Sequence, residues 1–299
     1  MIDLHIHSTL SDGTLSPAEI MAVAGERGVK VLSITDHDTM AAYPEAVRLG
    51  LERGIEVLPG IEITAHHQQL SIHILGLGLQ HESPALAKGL SSIQEARQER
   101  NRGIIAKLNG FHLGVTMADL PRGNGQTGRP HIARIMVQKG MVRNEQEAFA
   151  KYLRKDGAAY VQRQLLPVSQ AMAMITAAGG VAILAHPGTL KLPEAALAAL
   201  VRDLLGEGLA GVEVYHPMNS EKTLHFLLKL CHNFGLMATG GSDFHGREGD
   251  KAPLGECGGR RRVPAHLLSP LKTRLVETRG IDLQSVQPEK APAPCNLQP

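Results

Sequence analysis

Short apolar runs rich in β-branched residues alternate along the chain with longer segments in which apolar residues recur at helical spacing. This alternation is typical of βα units arranged around a parallel sheet. The predicted strands are 2–6, 30–35, 55–61, 70–77, 181–185, 211–215 and 236–240. The predicted helices are 17–28, 40–53, 84–109, 168–178, 193–207 and 219–234. The fold class is therefore α/β, and seven strands with intervening helices favour a closed or nearly closed barrel.

The alternation is interrupted between about residues 100 and 165, where the sequence is helical and loop-like. In this stretch a glycine-rich segment, PRGNGQTGRPH, precedes the helix-like IARIMVQKGM. We interpret it as a small helical insertion domain over the barrel mouth. We expect the barrel to occupy 1–99 and 166–278, the insertion 100–165, and a flexible, proline-rich tail 279–299, whose polar residues bury too little surface to offset ordering entropy.

The overall composition excludes some functions. The formal net charge is +2, which argues against a DNA-coating protein or a basic nucleic-acid-binding tail. The three cysteines, Cys231, Cys257 and Cys295, lack metal-type pairing and are too few for a disulfide framework, so we expect inert thiols in a reducing compartment. With no basic leader and no long apolar segment, the sequence predicts a cytoplasmic protein without membrane association and implies no stable protein partner.

Histidine is the anomaly in the composition, at 15 residues against four tyrosines, five phenylalanines and no tryptophan. His5 and His7 end the first predicted strand and project to the same side, because side chains alternate along a strand. Further histidines and carboxylates lie in or just after later predicted strands, where barrel active sites form. These residues are Asp12, His37, Glu62, His73, His186, Asp243 and His245.

These nine residues predict a metal site. A single histidine at a strand end is more often a hydrogen-bonded structural residue, but nine converging residues reverse that interpretation. Crowding six imidazoles and three carboxylates without a cation would leave unpaired polar groups and like charges in a partly buried site. Nitrogen and oxygen ligands without cysteine favour Mn²⁺, with Zn²⁺ or Fe²⁺ as alternatives, and nine ligands are too many for one ion. We therefore expect two or three divalent ions.

The order of the motifs HIH, SDG, ITDHD, GIEIT, SIH, AHPG and GSDFH across residues 2–246 resembles the polymerase and histidinol phosphatase (PHP) superfamily. The resemblance implies a distorted (β/α)7 barrel with a trinuclear metal centre. Carried over by position, it implies one metal held by His5, His7, Glu62 and Asp243. It further implies a second metal held by Glu62, His73 and His186, and a third held by Asp12, His37 and His245.

The segment GRPHIA in the insertion resembles the stand-alone subgroup that includes a 3′,5′-nucleotide bisphosphate phosphatase and a 5′-to-3′ exoribonuclease. This implies an enzyme that hydrolyses the 3′-phosphate of 3′,5′-bisphosphonucleosides, such as pAp to AMP, and also acts on short 5′-phosphorylated oligonucleotides. The same-class alternative is a 5′-to-3′ exoribonuclease on longer RNA. A non-catalytic metal-binding or nucleotide-binding module is the alternative from another class, disfavoured because no ligand position of the family pattern is replaced.

Cationic side chains near the predicted mouth would bind a non-reacting phosphate, since a guanidinium fork matches its geometry. The alternative for each arginine is a solvated helix face. The predicted substrate contacts are Asp12, Arg97, Arg100, Asn101, Arg129, His131 and Arg134. His216 is a candidate general acid or a structural residue. Asp36 and Asp38 either orient His37 or cap the next helix. Because aromatic stacking platforms are few, a short nucleotide is favoured over a long nucleic acid.

Overall fold

The computed structural model describes residues 1–121 and 125–279; apart from residue 279, the predicted tail, with Cys295, lies outside them. The strands of the described part are β1 (Ile2–Ile6), β2 (Val31–Ile34), β3 (Glu56–Val57), β4 (Gly60–His67), β5 (Leu70–Leu77), β6 (Leu166–Pro167), β7 (Val181–Leu184), β8 (Gly211–Tyr215) and β9 (Met237–Gly240). Its α-helices are α1 (Pro17–Glu26), α2 (Tyr43–Arg53), α3 (Pro84–Gly110), α4 (Arg129–Gln138), α5 (Glu145–Ala148), α6 (Val168–Ala177), α7 (Glu194–Gly206), α8 (Glu221–Phe234) and α9 (Leu268–Arg279).

The strands form two sheets that are joined at two places. One sheet has the order β1-β2-β3 and is parallel, and the other has the order β6-β4-β5-β7-β8-β9. One bridge joins His37, in the loop after β2, to Glu62 of β4, and another joins Ile6 of β1 to Phe244, in the loop after β9. The α/β fold is therefore a distorted, nearly closed barrel, as predicted.

Two details of the strand prediction are wrong. The predicted strand 55–61 is divided between β3 and β4, which belong to different sheets. Pro59 lies between them, and a residue without an N–H cannot continue the ladder. A hairpin joins β4 to β5, and β5 runs antiparallel to both β4 and β7, so the sheet is not wholly parallel. Glu62 therefore lies near the start of a long strand and not at the end of a short one.

The first helix begins as its sequence predicts. The Ser16 hydroxyl accepts a hydrogen bond from the Glu19 backbone N–H, and the Glu19 carboxylate accepts one from the Ser16 backbone N–H. This capping box, with Pro17 in the first turn, satisfies N–H groups that a helix start leaves without partners. It fixes the end of the loop that follows β1, which carries predicted site residues.

A separate small core lies beyond the barrel. The first half of α3 packs on the main core through Leu86 and Leu90, whereas its second half packs through Leu108 against Ile132 and Met136 of α4. A 27-residue helix is about 40 Å long, so α3 joins both cores in one rigid element. The domain boundaries given above remain a prediction.

Two predictions from composition, on the cysteines and on membrane-spanning segments, can be compared with the structure. Cys231 and Cys257 are buried, and burial raises the pKa of each thiol to about 12, which fits inert thiols. In the described part of the chain, no helix combines the length and the apolar character needed to cross a bilayer.

We expect Ile132→Ala to lower the free energy of unfolding by about 2–5 kcal/mol, because Ile132 is fully buried in the small core and truncation leaves a cavity. Leu51→Ala on α2 is the control, since that side chain is 68% exposed and its loss should change stability by under about 0.5 kcal/mol. Urea unfolding followed by circular dichroism measures both, as the chain has no tryptophan. Equal effects of the two substitutions would contradict a packed core in this region.

Candidate metal centre

The structure brings all nine predicted ligands together at the mouth of the barrel. They form four overlapping groups whose ligating atoms lie within 4.8 Å of one another. The groups are His5, His7 and Asp243; His5, Glu62 and His186; His37, Glu62 and His73; and His7, Asp12, His37 and His245. Shared members in every group mean one continuous cluster.

The group around β1 has the dimensions of a coordination shell. His5 Nε2 lies 3.1 Å from His7 Nε2 and 3.4 Å from Asp243 Oδ1. His7 Nε2 lies 3.3 Å from Asp243 Oδ1 and 3.3 Å from Glu62 Oε2. Four ligands placed tetrahedrally at about 2.1 Å from an ion are about 3.4 Å from one another. These four side chains therefore fit one divalent ion.

Glu62 extends the cluster toward the other strands. Its Oε1 lies 2.8 Å from His73 Nδ1 and 3.0 Å from His186 Nε2, and those two nitrogens are 3.2 Å apart. On the opposite side of the cluster, Asp12 Oδ1 lies 3.3 Å from His245 Nε2 and 3.9 Å from His37 Nε2. The three sets implied by the family resemblance are thus each close enough to hold an ion.

Buried atoms without hydrogen-bond partners support this fit. Asp12 Oδ1, His37 Nδ1 and Glu62 Oε2 are buried and make no hydrogen bond in the structure. His37 Nδ1 and Glu62 Oε2 are only 2.8 Å apart but are not aligned for a hydrogen bond. Buried polar atoms are rarely left without partners, and divalent cations would satisfy all three.

The electrostatics of the cluster point the same way. Burial opposes ionisation of Glu62, but His73, His37 and His5 hold its pKa well below the usual range. Burial, together with His245 and His37, lowers the pKa of His7 to about 4, so His7 is a neutral nitrogen donor. Although burial opposes it, the nearby carboxylates raise the pKa of His5 and raise that of His37 to about 9, and a divalent ion would replace those protons on the imidazoles.

Glu213, on β8, supports this cluster and was missed by the sequence analysis. Its carboxylate lies 3.0 Å from His5 Nδ1 and accepts a hydrogen bond of 2.7 Å from the His186 backbone N–H. The Nδ1 contact places the proton of His5 on that nitrogen and directs the Nε2 lone pair into the cluster. A buried glutamate in VEVYH, two residues before the strand end, was the available signal.

The two aspartates that flank His37 have other roles than those predicted. Asp36 accepts hydrogen bonds from the backbone N–H of Ser8, at 2.7 Å, and from the Ser8 and Ser11 hydroxyls, so it holds the loop after β1. Asp38 pairs with arginines. Neither caps α2, whose N-cap residue is Ala42.

Asp38 pairs with two members of a group of four buried or half-buried guanidinium groups, which we call the arginine cluster. They belong to Arg97, Arg100, Arg129 and Arg163. Asp38 Oδ2 accepts hydrogen bonds from Arg97 and, at 2.9 Å, from Arg163. Although burial opposes its ionisation, these two arginines hold the pKa of Asp38 well below the usual range. Arg163 was not predicted, because it follows the insertion helices in a loop without a regular pattern.

Arg100 has no carboxylate partner among the described residues. Its guanidinium donates to the Asn101 side-chain oxygen at 3.0 Å, and the Asn101 amide in turn donates to Thr127. Burial and the neighbouring arginines lower its pKa to about 8. A Cβ at Gly128 would lie 3.1 Å from an Arg97 nitrogen, so the glycine permits close approach to the cluster. The sequence left two alternatives for this part of α3, a solvated face or a binding face. The structure buries Arg97, Arg100 and Asn101, so the face is not solvated.

A second pair of arginines contacts the loop after β1. Arg134 of α4 and Arg247 both donate to the Asp12 backbone oxygen, and Arg247 also lies 3.0 Å from Asp12 Oδ2.

His131 of α4 lies between this pair and the arginine cluster; burial and these arginines lower its pKa to about 4. Its Nδ1 accepts a hydrogen bond from the Gly128 backbone N–H. Nε2 therefore carries the proton and is an uncharged hydrogen-bond donor. Arg129 donates to the Leu153 backbone oxygen at the edge of the cluster.

His216 lies next to the cluster and not in it. Its Nδ1 accepts the Met218 backbone N–H at 3.1 Å, so Nε2 bears the proton and faces Asp243 Oδ2 at 3.4 Å. This geometry favours a residue that positions Asp243. The role of His216 as a general acid remains a prediction.

We expect Glu213→Gln to weaken divalent-metal binding by about 10–100-fold, the usual cost of disturbing a residue that orients a metal ligand. The new amide NH₂ would face either the His5 Nδ1 proton or the His186 backbone N–H. Two hydrogen-bond donors would then face each other, and one of these two hydrogen bonds would be lost. Metal content after dialysis against a graded series of chelator concentrations measures the effect without an activity assay. Glu221→Gln is the matched control, because that side chain is 69% exposed on α8. Equal metal retention in the two variants would show that Glu213 does not orient the ligands.

The chain is similar over most of its length to proteins of known name. It is 36% identical over 250 residues to the 3′,5′-nucleoside bisphosphate phosphatase of Chromobacterium violaceum, covering 82% of this chain and 87% of that protein. It is 35% identical over 249 residues to the 5′-3′ exoribonuclease of Haemophilus influenzae, covering 81% of this chain and 89% of that protein.

A solved structure shares the fold. An amidohydrolase from Chromobacterium violaceum, with bound sulfate and no metal, aligns with a TM-score of 0.81 and 33% identity over 91% of this chain and 96% of its own. The family model of the PHP domain matches residues 3–245, which include every residue of the metal cluster. The chain therefore belongs to the PHP domain family.

Proposed function

We propose that this chain is a metal-dependent phosphatase that removes the 3′-phosphate of 3′,5′-bisphosphonucleosides, converting pAp to AMP and phosphate. The observation that carries the proposal is the placement of two different anion-binding arrangements side by side. His37 is one of the nine predicted metal ligands, and the next residue, Asp38, accepts hydrogen bonds from the arginine cluster. A substrate with two phosphates on one ribose matches this pair of sites.

Divalent ions bound to the cluster, Mn²⁺ in our proposal, would activate water and neutralise the developing charge of phosphate-ester hydrolysis. The chain's own residues divide the remaining tasks. His5, His7, Glu62 and Asp243 would hold one ion, and Glu62 with His73 and His186 would hold a second. Asp12, His37 and His245 would hold the third.

The arginine cluster would bind the 5′-phosphate, which does not react. Arg100 and Arg129 are its members without a carboxylate partner among the described residues, because Asp38 pairs with Arg97 and Arg163. Asn101 orients Arg100, and the neutral His131 offers its Nε2–H between this cluster and Arg134. Holding the second phosphate by fixed donors orients the ribose, so the 3′-ester is presented to the metals in one geometry.

The name of the Haemophilus influenzae relative supports a second candidate, a 5′-to-3′ exoribonuclease. A 5′-phosphate held by the arginine cluster would also fit the end of an RNA strand, so short 5′-phosphorylated oligonucleotides are proposed as additional substrates. The cytoplasmic location remains a prediction.

The deciding experiment incubates the Mn²⁺-loaded protein with pAp, with 5′-phosphorylated oligonucleotides of three and ten residues, and with histidinol phosphate. Chromatography follows the nucleotide and phosphate products. We expect AMP and phosphate from pAp. Faster turnover of the ten-residue RNA than of pAp would favour the exoribonuclease. Turnover of histidinol phosphate alone would refute both assignments, and tight nucleotide binding without turnover in any metal would indicate the non-catalytic module.

We expect Arg100→Ala to lower kcat/KM for pAp about 10–150-fold, because charge-assisted hydrogen bonds contribute about 1.5–3 kcal/mol. The loss should be absent for 3′-AMP, which lacks the 5′-phosphate. The variant should fold, since it removes a buried charge from among like charges. Steady-state kinetics on both substrates give the comparison.

Arg102→Ala is the matched control for this test. Arg102 is on the same helix, but its side chain is 56% exposed and pairs with Glu99. It should leave both substrates unaffected. If Arg100→Ala lowered kcat/KM for pAp and 3′-AMP equally, the arginine cluster would not be the site of the 5′-phosphate.

A further inference from the structure

A cavity of about 430 Å³ lies between the β4–β5 hairpin, the middle of α3 and the segment 163–170; we call it the hairpin cavity. Its lining includes Thr64 and His66 of β4, Ile93 of α3, and Arg163, Gln164 and Gln170. Ligand pockets in proteins have volumes of about 300–1,000 Å³, so the cavity is large enough for part of a small ligand.

The hairpin cavity lies near the predicted metal centre, farther along β4. Side chains alternate along a strand, so Thr64 and His66 lie on the same face of β4 as Glu62. Thr64 pairs in register with His73, one of the predicted metal ligands. Each step of two residues along a strand covers about 7 Å, and the cavity therefore begins within one nucleoside length of the cluster.

The cavity is continuous with the arginine cluster. The Thr64 backbone N–H donates to Asp38 Oδ1 at 3.3 Å, and Arg163, in the cavity wall, donates to Asp38 Oδ2 at 2.9 Å. Asp38 therefore lies where the metal centre, the arginine cluster and the cavity meet. A ligand bound to both phosphate sites would have its remaining part beside Thr64.

The chemistry of the lining selects a neutral ligand. Among the described residues that line the cavity, Arg163 is the one with a permanent charge, and Asp38 already neutralises it. The other polar side chains are the two glutamine amides, the hydroxyls of Thr64 and Ser92 and the His66 ring, beside apolar Ile93, Leu165 and Pro167. A second phosphate or a cation would find no counter-charge there, whereas a flat, neutral ring with donors and acceptors would be matched.

We propose that the hairpin cavity is the subsite for the nucleobase of the substrate. His66 stacks on the base, as imidazole rings do in nucleic-acid complexes, and Ile93 packs on its apolar edge. Gln164 and Gln170 bind the polar edge, since an amide offers an acceptor and donors together and pairs well with adenine. This inference rests on the proposed function, because it assigns the third part of the same nucleotide.

The first test compares pAp with ribose 3,5-bisphosphate, which has both phosphates and no base. Base stacking contributes about 1–3 kcal/mol, so His66→Ala should lower kcat/KM for pAp about 5–150-fold and leave the base-free substrate unchanged. Gln164→Ala should act in the same direction. His67→Ala is the matched control, because the neighbouring His67 points to the other face and lies 3.5 Å from Asp203 of α7.

A second measurement does not require turnover. Calorimetric titration compares AMP with ribose 5-phosphate in the wild-type protein and in His66→Ala. We expect wild type to bind AMP more tightly than ribose 5-phosphate, and His66→Ala to reduce this preference about 5–150-fold.

The two measurements separate the inference from the proposed function. A protein that does not hydrolyse pAp but shows this loss of AMP preference would refute the phosphatase and keep the base subsite. Hydrolysis of pAp with no AMP preference in wild type, or with equal losses for pAp and the base-free substrate in His66→Ala, would overturn the base subsite alone.

Discussion

The buried carboxylate of Glu62 is the constraint on which the rest of the structure depends. Its two oxygens face imidazoles from four separate segments, those of His5, His7, His37, His73 and His186. An ionised carboxylate buried without partners costs several kcal/mol, so these segments must converge for Glu62 to be tolerated. The bridge from Glu62 to His37 also joins the two sheets. Closure of the barrel and placement of the predicted metal ligands therefore depend on the same contacts.

Around Glu62, other buried acids fix the loops that carry the ligands. Asp3 accepts hydrogen bonds from Ser242 and from the Gly255 backbone N–H, and burial nevertheless raises its pKa to about 6. These contacts anchor the loop that presents Asp243. Asp243 and His186 both hold left-handed backbone conformations, with φ of 52° and 30°. Such strained conformations are retained only where many surrounding contacts hold the backbone in place. Here the buried hydrogen bonds supply those contacts.

The sequence predicted which nine side chains would meet at the barrel mouth, because their positions follow from strand geometry. A two-residue period brings His5 and His7 to one face, and strand ends meet at one mouth, so no long-range detail was needed. The residues that were missed act through contacts that no period encodes. Glu213 reads as one more residue of an apolar strand, and Arg163 and Arg247 lie in irregular loops. The division of 55–61 into β3 and β4 depends on Pro59. The apolar pattern of this segment gave no sign that the proline interrupts strand pairing.

The arginine cluster is the place where stability and binding are opposed. Burial and like charges lower the pKa of Arg100 to about 8, so the folded protein holds a charge there that an anion would stabilise. Donors fixed in advance need no reorganisation when a ligand arrives, which is why such an arrangement serves binding better than folding. Arg97 and Arg100 lie where α3 leaves the barrel, and Arg129 begins α4 in the small core. In the proposed function, recognition of one phosphate would therefore depend on how the small core packs on the barrel, whereas binding of the other would depend on Glu62. A ligand with two phosphates at a fixed separation satisfies both arrangements at once, and a ligand with one phosphate leaves either the metals or the arginines without their partner.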